Sequence, residues 1–390
     1  MMDFDIIIVG GGPAGLSFAR AIAPTDLRIG IIEKQTEQQL ADPGYDGREI
    51  ALSHRSIRLL QDFGAWQRLG VEEIAPLRAA KVLNGNSPIA LGFDAGQRRE
   101  RDLGALVSNH CIRRTLFECI SSQSNVTLMM ETVVAEVRAQ AGSAEVRLAD
   151  GCSMTARLLV AADSRFSAVR DQLGIGAQMQ RTGTAMLVCR LEHDRPHDEV
   201  AIEWFRNPGT IAMLPLNGRM SSAVLTLPIE EARRLADLDD DALGPEIAGR
   251  FDHRLGAMRV ASSRHVYPLV MTFSFEFAVP GAALIGDAAV GMHPVTAHGY
   301  NLGIRSADRL GREIIAAQRR GLDWSSDRVL KRYEAGHRRV AWPIYTGTNM
   351  IVGLYRDRRP GAMAVRHAGI RVARRMPFFR AAVRNMLLRA

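Results

Sequence analysis

The chain has 390 residues, 47% hydrophobic and 24% charged, the balance of an ordinary globular protein with room for two or three domains. Its amino end, Met1-Met2-Asp3-Phe4-Asp5, is acidic, and the apolar run behind it, Ile6 to Val9, is too short for a signal peptide or membrane span, so a cytoplasmic protein is expected. The net charge of +8 looks like a nucleic-acid signal, but its distribution argues otherwise, because residues 356–390 hold ten arginines against Asp357 and the rest of the chain is near neutral.

In chain order, Asp5 to Val9 reads as a strand, Gly10-Gly11-Gly12-Pro13-Ala14-Gly15 as a tight turn into a small-residue helix, and Leu27 to Ile32 as a second strand. A long amphipathic helix is predicted from Ser53 to Leu69, and a hairpin between Arg78 and Phe93 around Asn84-Gly85-Asn86. A helix over Ile112–Ser122 follows, then strands at Val126–Met130, Val133–Arg138 and Glu145–Leu148, and an apolar run from Arg157 to Asp163. From about 180 to 275 alternating runs dominate, broken by an acidic helix near 230–254, and they predict a separate, mostly antiparallel sheet. Residues 282–318 revert to strand, glycine loop and helix, and the remainder reads as helical. The expected fold is α/β: a discontinuous Rossmann-like nucleotide-binding domain (1–76, 96–178 and 275–335), an inserted substrate sheet (77–95 and 179–274), and helices with a basic tail (336–390).

The first loop carries the clearest chemistry. Gly10 permits the turn, Gly12 lets backbone approach a pyrophosphate, Gly15 allows helix–strand packing, and the helix opening at Pro13 and Ala14 points its positive end at phosphate. Glu33 ends the second strand, followed by Lys34, at the distance where an acid accepts hydrogen bonds from ribose hydroxyls. This pattern establishes a dinucleotide without separating NAD from FAD. The four cysteines, Cys111, Cys119, Cys152 and Cys189, form no C-x-x-C pair or cluster with histidine, so neither a metal site nor a redox pair is expected.

Two further segments make the separation. Asp163-Ser164-Arg165-Phe166-Ser167-Ala168-Val169-Arg170 resembles the D-G-x-x-S-x-V-R signature of the single-component FAD-dependent aromatic hydroxylases. Gly286-Asp287-Ala288-Ala289, with Pro294, Gly299, Asn301 and Gly303, resembles their late signature. Asp287 follows an apolar strand and can accept from a ribityl hydroxyl, while the run from Pro294 through Gly299 and Tyr300 to Gly303 can lead into a helix whose amino end faces the flavin. Arg48 in Asp46-Gly47-Arg48, and Arg113, match family positions near the cofactor; a surface ion pair is the alternative for Arg48. The run from His293 to Gly303 is most similar to the ubiquinone-biosynthesis hydroxylases. Four departures, Ser164 for glycine, Val290 for histidine, Ala297 for glycine and Ser306 for aspartate, leave substrate and ring position open.

The resemblance implies that NAD(P)H reduces the FAD, that oxygen adds to give a flavin hydroperoxide, and that its distal oxygen attacks an electron-rich ring. His298, Tyr267 and Glu203 are the candidates to line the substrate side. Each has a plain structural alternative: a backbone hydrogen bond for the histidine, a satisfied strand hydroxyl for the tyrosine, a solvent-facing strand position for the glutamate. From Arg366 to Arg389 arginines interleave with Ile370, Phe378, Phe379, Leu387 and Leu388, a basic amphipathic pattern suited to an anionic membrane surface, or to a partner in a ubiquinone-biosynthesis assembly. The expected function is FAD-dependent hydroxylation of an aromatic ubiquinone precursor, with or without its polyprenyl chain. The rivals are a hydroxylase of a soluble aromatic metabolite and a non-catalytic flavin-binding subunit.

Overall fold

A computed structural model of the chain describes residues 2–85, 87, 90–94, 102–206, 209–294 and 298–356, with side chains to 354. The basic tail, Asn86 of the hairpin and Ala297 lie outside the described residues.

The four inner strands of the first sheet, Ile6–Val9, Ile29–Ile32, Leu158–Ala161 and Ala282–Leu284, are wholly buried apolar runs, the composition of strands covered on both faces. Its order is Ala278–Val279, Ala282–Leu284, Leu158–Ala161, Ile6–Val9, Ile29–Ile32 and Val126–Met129. All neighbours are parallel except the first pair. Parallel neighbours need crossovers, and the chain supplies Pro13–Ala21 for the first of them. The helices Pro13–Ala21, Asn109–Ser121 and Gly299–Gln318 pack together over this sheet. The predicted Ser53–Leu69 helix is shorter, His54–Asp62, because Gly64 takes φ +81° and turns the chain; a 3-10 turn at Trp66–Arg68 continues the pattern.

The second sheet has nine strands and is antiparallel apart from one pair, Val200–Arg206 beside Ala79–Asn84. Its centre is one long strand, Ala177–His193, whose register against His265–Ser274 shifts between Arg181 and Ala185, so runs that read separately in sequence are one bulged strand. The acidic segment forms two helices, Ile229–Ala236 and Asp240–Arg250. They cover one face of this sheet, where Leu187, Cys189, Trp204, Ile211 and Leu225 form a separate core. Strict alternation along each strand therefore aims Met186, Val188, Arg190, Glu203, Ala212, Ser222 and Val224 at the opposite face.

That opposite face meets the nucleotide-binding part. The Arg190 guanidinium donates to the Glu49 carboxylate and the Ser108 hydroxyl, and the Tyr267 hydroxyl donates to the Asp46 carbonyl. A three-stranded sheet of Glu49–Leu52, Gly104–Ser108 and Ile74–Leu77 bridges the two parts. Among the described residues no helix is long and apolar enough to cross a membrane.

Candidate active site

The three signature segments meet at one point. Gly10 has φ +110°, and a Cβ there would lie 2.5 Å from the Ala162 carbonyl oxygen and 3.0 Å from the Asp163 Cα, so only glycine lets the first loop sit against the mid-chain segment. A Cβ on Gly15 would stand 2.0 Å from the Gly10 oxygen. On the other side of the loop, a Cβ on Gly286 would lie 2.6 Å from that of Ala14, and Gly303 packs over the Gly286 Cα. Residues separated by nearly 300 positions in sequence thus share one cradle.

The cradle has groups that the protein itself does not satisfy. Gly12 caps the Pro13–Ala21 helix without a side chain, and a Cβ there would meet nothing within 4 Å; the first N–H groups of a helix have no partners within it, so open space and positive potential coincide. The Glu33 carboxylate accepts from the Gly11 amide at 2.6 Å and the Gln35 amide at 2.9 Å, one on each oxygen, and each oxygen retains acceptor capacity. Asp163 accepts weakly from the Val169 amide through Oδ2, while its Oδ1 is buried with no partner. A buried orphan acceptor costs about 1–3 kcal/mol and marks a place for a ligand hydroxyl. These features fit FAD.

Asp287 receives both Nε and Nη2 of Arg165 on a single oxygen, Oδ2, and Oδ1 has no bond among the described residues. The departure at Ser306 is chemically conservative: its hydroxyl accepts from the Gly286 amide at 2.9 Å and donates to the Gly303 carbonyl at 2.6 Å, so an acceptor still fixes the glycine turn. Arg113 donates to Gln35 at 2.7 Å, and burial lowers its pKa while Asp46 opposes that effect. It stands with Glu33, Asp46 and Arg48 on one side of the cradle. Lys34 is exposed.

Arg48 is paired, but not as a simple surface bridge. Its Nη2 lies 2.6 Å from the Asp46 Oδ2 and its guanidinium 5.7 Å from the Tyr267 ring centre. Burial would raise the Asp46 carboxyl, but the charge and hydrogen bonds of Arg48, with a further bond from Asn109, hold it below its ordinary value.

At the start of the Gly299–Gln318 helix, Asn301 accepts from the Ser53 amide and donates to the Ala51 carbonyl. Its side chain therefore joins this helix to the bridging sheet. Tyr300 packs into the core toward Ser17, and burial raises its phenol well above the usual range. His298 is the buried residue before the helix, and Pro294 and Gly299 flank the loop.

The three substrate-side candidates are not brought together. Tyr267 donates its only hydroxyl proton to the Asp46 carbonyl at 2.8 Å, so in this structure it braces the Asp46–Arg48 turn. Glu203 lies four strands away on the same sheet face and is desolvated rather than solvent-facing. Sequence reasoning missed Tyr45, Glu49, Ser108 and Arg190. Glu49 is buried under Arg190, whose guanidinium also lies 4.5 Å over the Tyr45 ring, and no local motif signals a pair so far apart in the chain.

Residues 3–348 match the family model described as FAD binding domain. The chain is 42% identical over 96% of its length to ubiquinone hydroxylase UbiM of Neisseria meningitidis, covering 82% of that protein. The chain is an FAD-dependent monooxygenase. It is also 34% identical to ubiquinone hydroxylase UbiL of Rhodospirillum rubrum, over 95% of this chain and 86% of that one. The crystal structure of p-nitrophenol 4-monooxygenase PnpA from Pseudomonas putida has the same fold, with a TM-score of 0.77 at 18% identity over 98% of both chains. Membership in this family gives NAD(P)H and oxygen as the co-substrates of the monooxygenase.

Proposed function

We propose that this monooxygenase hydroxylates the aromatic ring of a ubiquinone precursor. The observation that carries this reading is the 42% identity with UbiM, sustained over 96% of the chain. Bound FAD supplies the redox chemistry, activating oxygen at the expense of NAD(P)H. The protein's own part is to bind, orient and exclude water. Gly10, Gly12, Pro13, Ala14 and Gly15 would hold the pyrophosphate, Glu33 and Lys34 the ribose, and Asp163, Gly286 and Asp287 the ribityl chain. Arg48 and Arg113 would lie along the cofactor, with Pro294, Gly299, Tyr300 and Asn301 shaping the loop beside its ring. His298, buried at the helix start, would close that loop toward substrate. The sheet face opposite the paired helices offers an apolar floor for the ring.

The arginine-rich tail would hold the enzyme to the cytoplasmic side of an anionic membrane, in which a polyprenylated precursor dissolves, or to an assembly there. Replacing Arg371, Arg374 and Arg375 by glutamate is expected to abolish binding to anionic liposomes; undiminished binding overturns the lipid role.

The deciding experiment is mass spectrometry of quinone intermediates in cells lacking the protein. A precursor short of one ring oxygen should accumulate. Normal ubiquinone with no precursor overturns the reading, and with the purified enzyme adding one oxygen to a soluble phenol, it would favour a soluble metabolite.

A further inference from the structure

We propose that Glu203 is the base that takes the phenolic proton of the aromatic substrate, from a place in the floor of the cavity between the nine-stranded sheet and the nucleotide-binding part. The proposal rests on the reading of the substrate as a phenol.

The register of the sheet places Glu203. It is paired with Val82 on one side and Ala212 on the other; Ala212 pairs with Val224, and Val224 with Val188. Val188 in turn lies under Gly47, where a Cβ would come within 2.6 Å of its methyl. Glu203 therefore stands three strand spacings, about 14 Å, from the Asp46–Arg48 turn, across a floor of alanine and valine. That is an apolar floor with a carboxyl at its far end.

This face has the character of a cavity lining. On the helix-covered side Trp204, Ile211, Leu225 and Leu187 are buried; on the other side Val188, Phe205, Ala212 and Ser222 are buried too, while Ala201, Glu203, Val224 and Met186 among them keep accessible surface. Glu203 keeps that surface although protein surrounds its carboxyl, as a residue facing interior space would. Nearby on the same face the Ser222 hydroxyl is buried without a partner. A buried hydroxyl without a partner and a desolvated carboxyl on one apolar floor fit a ligand with hydroxyl groups to match.

Its electrostatic setting suits a base. Desolvation raises the Glu203 carboxyl to about 7, opposed only by a hydrogen bond from Thr210, and no charged neighbour acts on it. Lys81 on the adjacent strand and Arg206 on the same strand alternate to the other face, where Arg206 lies over Trp204. Across the floor the titratable groups are Arg190, His265 and Tyr267, three or four strands away, with Asp46, Arg48 and Glu49 above them. A carboxylate poised near neutral pH is matched to accept a proton there. The step is a proton transfer: the substrate O–H bond breaks, a Glu203 O–H bond forms, and the electron pair stays on the phenolate oxygen to enrich the ring. Nothing is oxidised or reduced in it.

The test compares flavin-loaded wild type with Glu203→Gln and Glu203→Asp, using a 2-prenylphenol as substrate and 4-nitrophenolate as a binding probe. In wild type kcat/KM should rise through about pH 7, and binding of 4-nitrophenolate above that pH should take up a proton, because Glu203 must then hold it. E203Q should lose kcat/KM by about 100-fold or more, lose the rise, take up no proton, and still oxidise NAD(P)H with release of peroxide. E203D should restore the rise at a shifted pH. Equal proton uptake in wild type and E203Q, or the same pH profile in both, overturns the assignment. If E203Q fails to hold flavin, E203D decides: a flavin-loaded E203D without the rise overturns it. Wild type that oxidises NAD(P)H but oxygenates no phenol brings down the substrate reading, and Glu203 with it, whereas a wild type that oxygenates phenols with E203Q unchanged brings down Glu203 alone.

Discussion

The cofactor cradle and the substrate-side face of the nine-stranded sheet solve opposite problems. In the cradle, backbone approaches backbone so closely that side chains are excluded: Gly10, Gly15 and Gly286 each stand where a Cβ would meet another atom at 2.6 Å or less. On the sheet face side chains fill the surface, and among them are the desolvated Glu203 carboxyl and the Ser222 hydroxyl, buried without a partner. One region is fixed by sterics; the other is a broad surface that, under the proposed function, would meet the substrate. The seam between them is held by charge, through Arg190 and the buried Glu49.

That seam gives the largest expected effect. Glu49 has 1% of its side chain exposed, so Arg190→Ala leaves a buried carboxylate unpaired and should cost about 3–5 kcal/mol in unfolding free energy, measured by denaturant titration. Replacing both, Glu49→Leu with Arg190→Met, should recover most of that loss. A fully destabilised double variant would mean that the two regions are joined by more than this pair.

Next comes the cradle itself. Gly15→Val places a methine 2.0 Å from the Gly10 carbonyl oxygen, and overpacking of this kind costs about 1–3 kcal/mol. Because the strain falls on the phosphate-facing turn, FAD affinity should drop by about 10- to 100-fold, read from flavin content and from titration of the apoprotein. Retained affinity would show that the loop relaxes, and the steric contrast between the regions would lose its force.

Behind the cradle, His337 is stacked on Tyr333 with ring centres 6.0 Å apart and faces Phe277. Burial, aided by Arg305 and Arg309, lowers its pKa from 6.5 to about 3. The native state therefore keeps this imidazole neutral, while the unfolded chain protonates it below pH 6.5. Stability should fall with acidification from 6.5 toward 3, by up to about 1.4 kcal/mol per pH unit from this group. His337→Phe should flatten that part of the profile in denaturant midpoints measured against pH. An unchanged slope would mean that other groups set the acid limit.

How much of this was legible in sequence follows the same division. The glycines, Glu33, Asp163 and Asp287 carry their roles at fixed local spacing, because the turn and the strand end that use them are local structures. The placements of Tyr267, Glu203 and Arg190 were not legible, since each depends on which strand pairs with which and in what register, and the bulge between Arg181 and Ala185 breaks the alternation that sequence patterning relies on. Asn301 lies within a signature, and its amide also joins Ser53 and Ala51, a tertiary role that the motif's spacing does not announce.

The smallest predicted effect separates bracing from catalysis at the seam. Tyr267→Phe removes one hydrogen bond, hydroxyl to Asp46 carbonyl, and leaves the ring beside Arg48. The Asp46 carbonyl lies in a partly buried turn, so the loss should be about 1 kcal/mol of stability. If Tyr267 only braces the Asp46–Arg48 turn, turnover and the pH profile of kcat/KM stay as in wild type while the melting temperature falls by a few degrees. Turnover that instead falls by about 10-fold or more, with stability unchanged, would place the phenol in proton transfer and would move the base from the apolar floor to the turn that faces it.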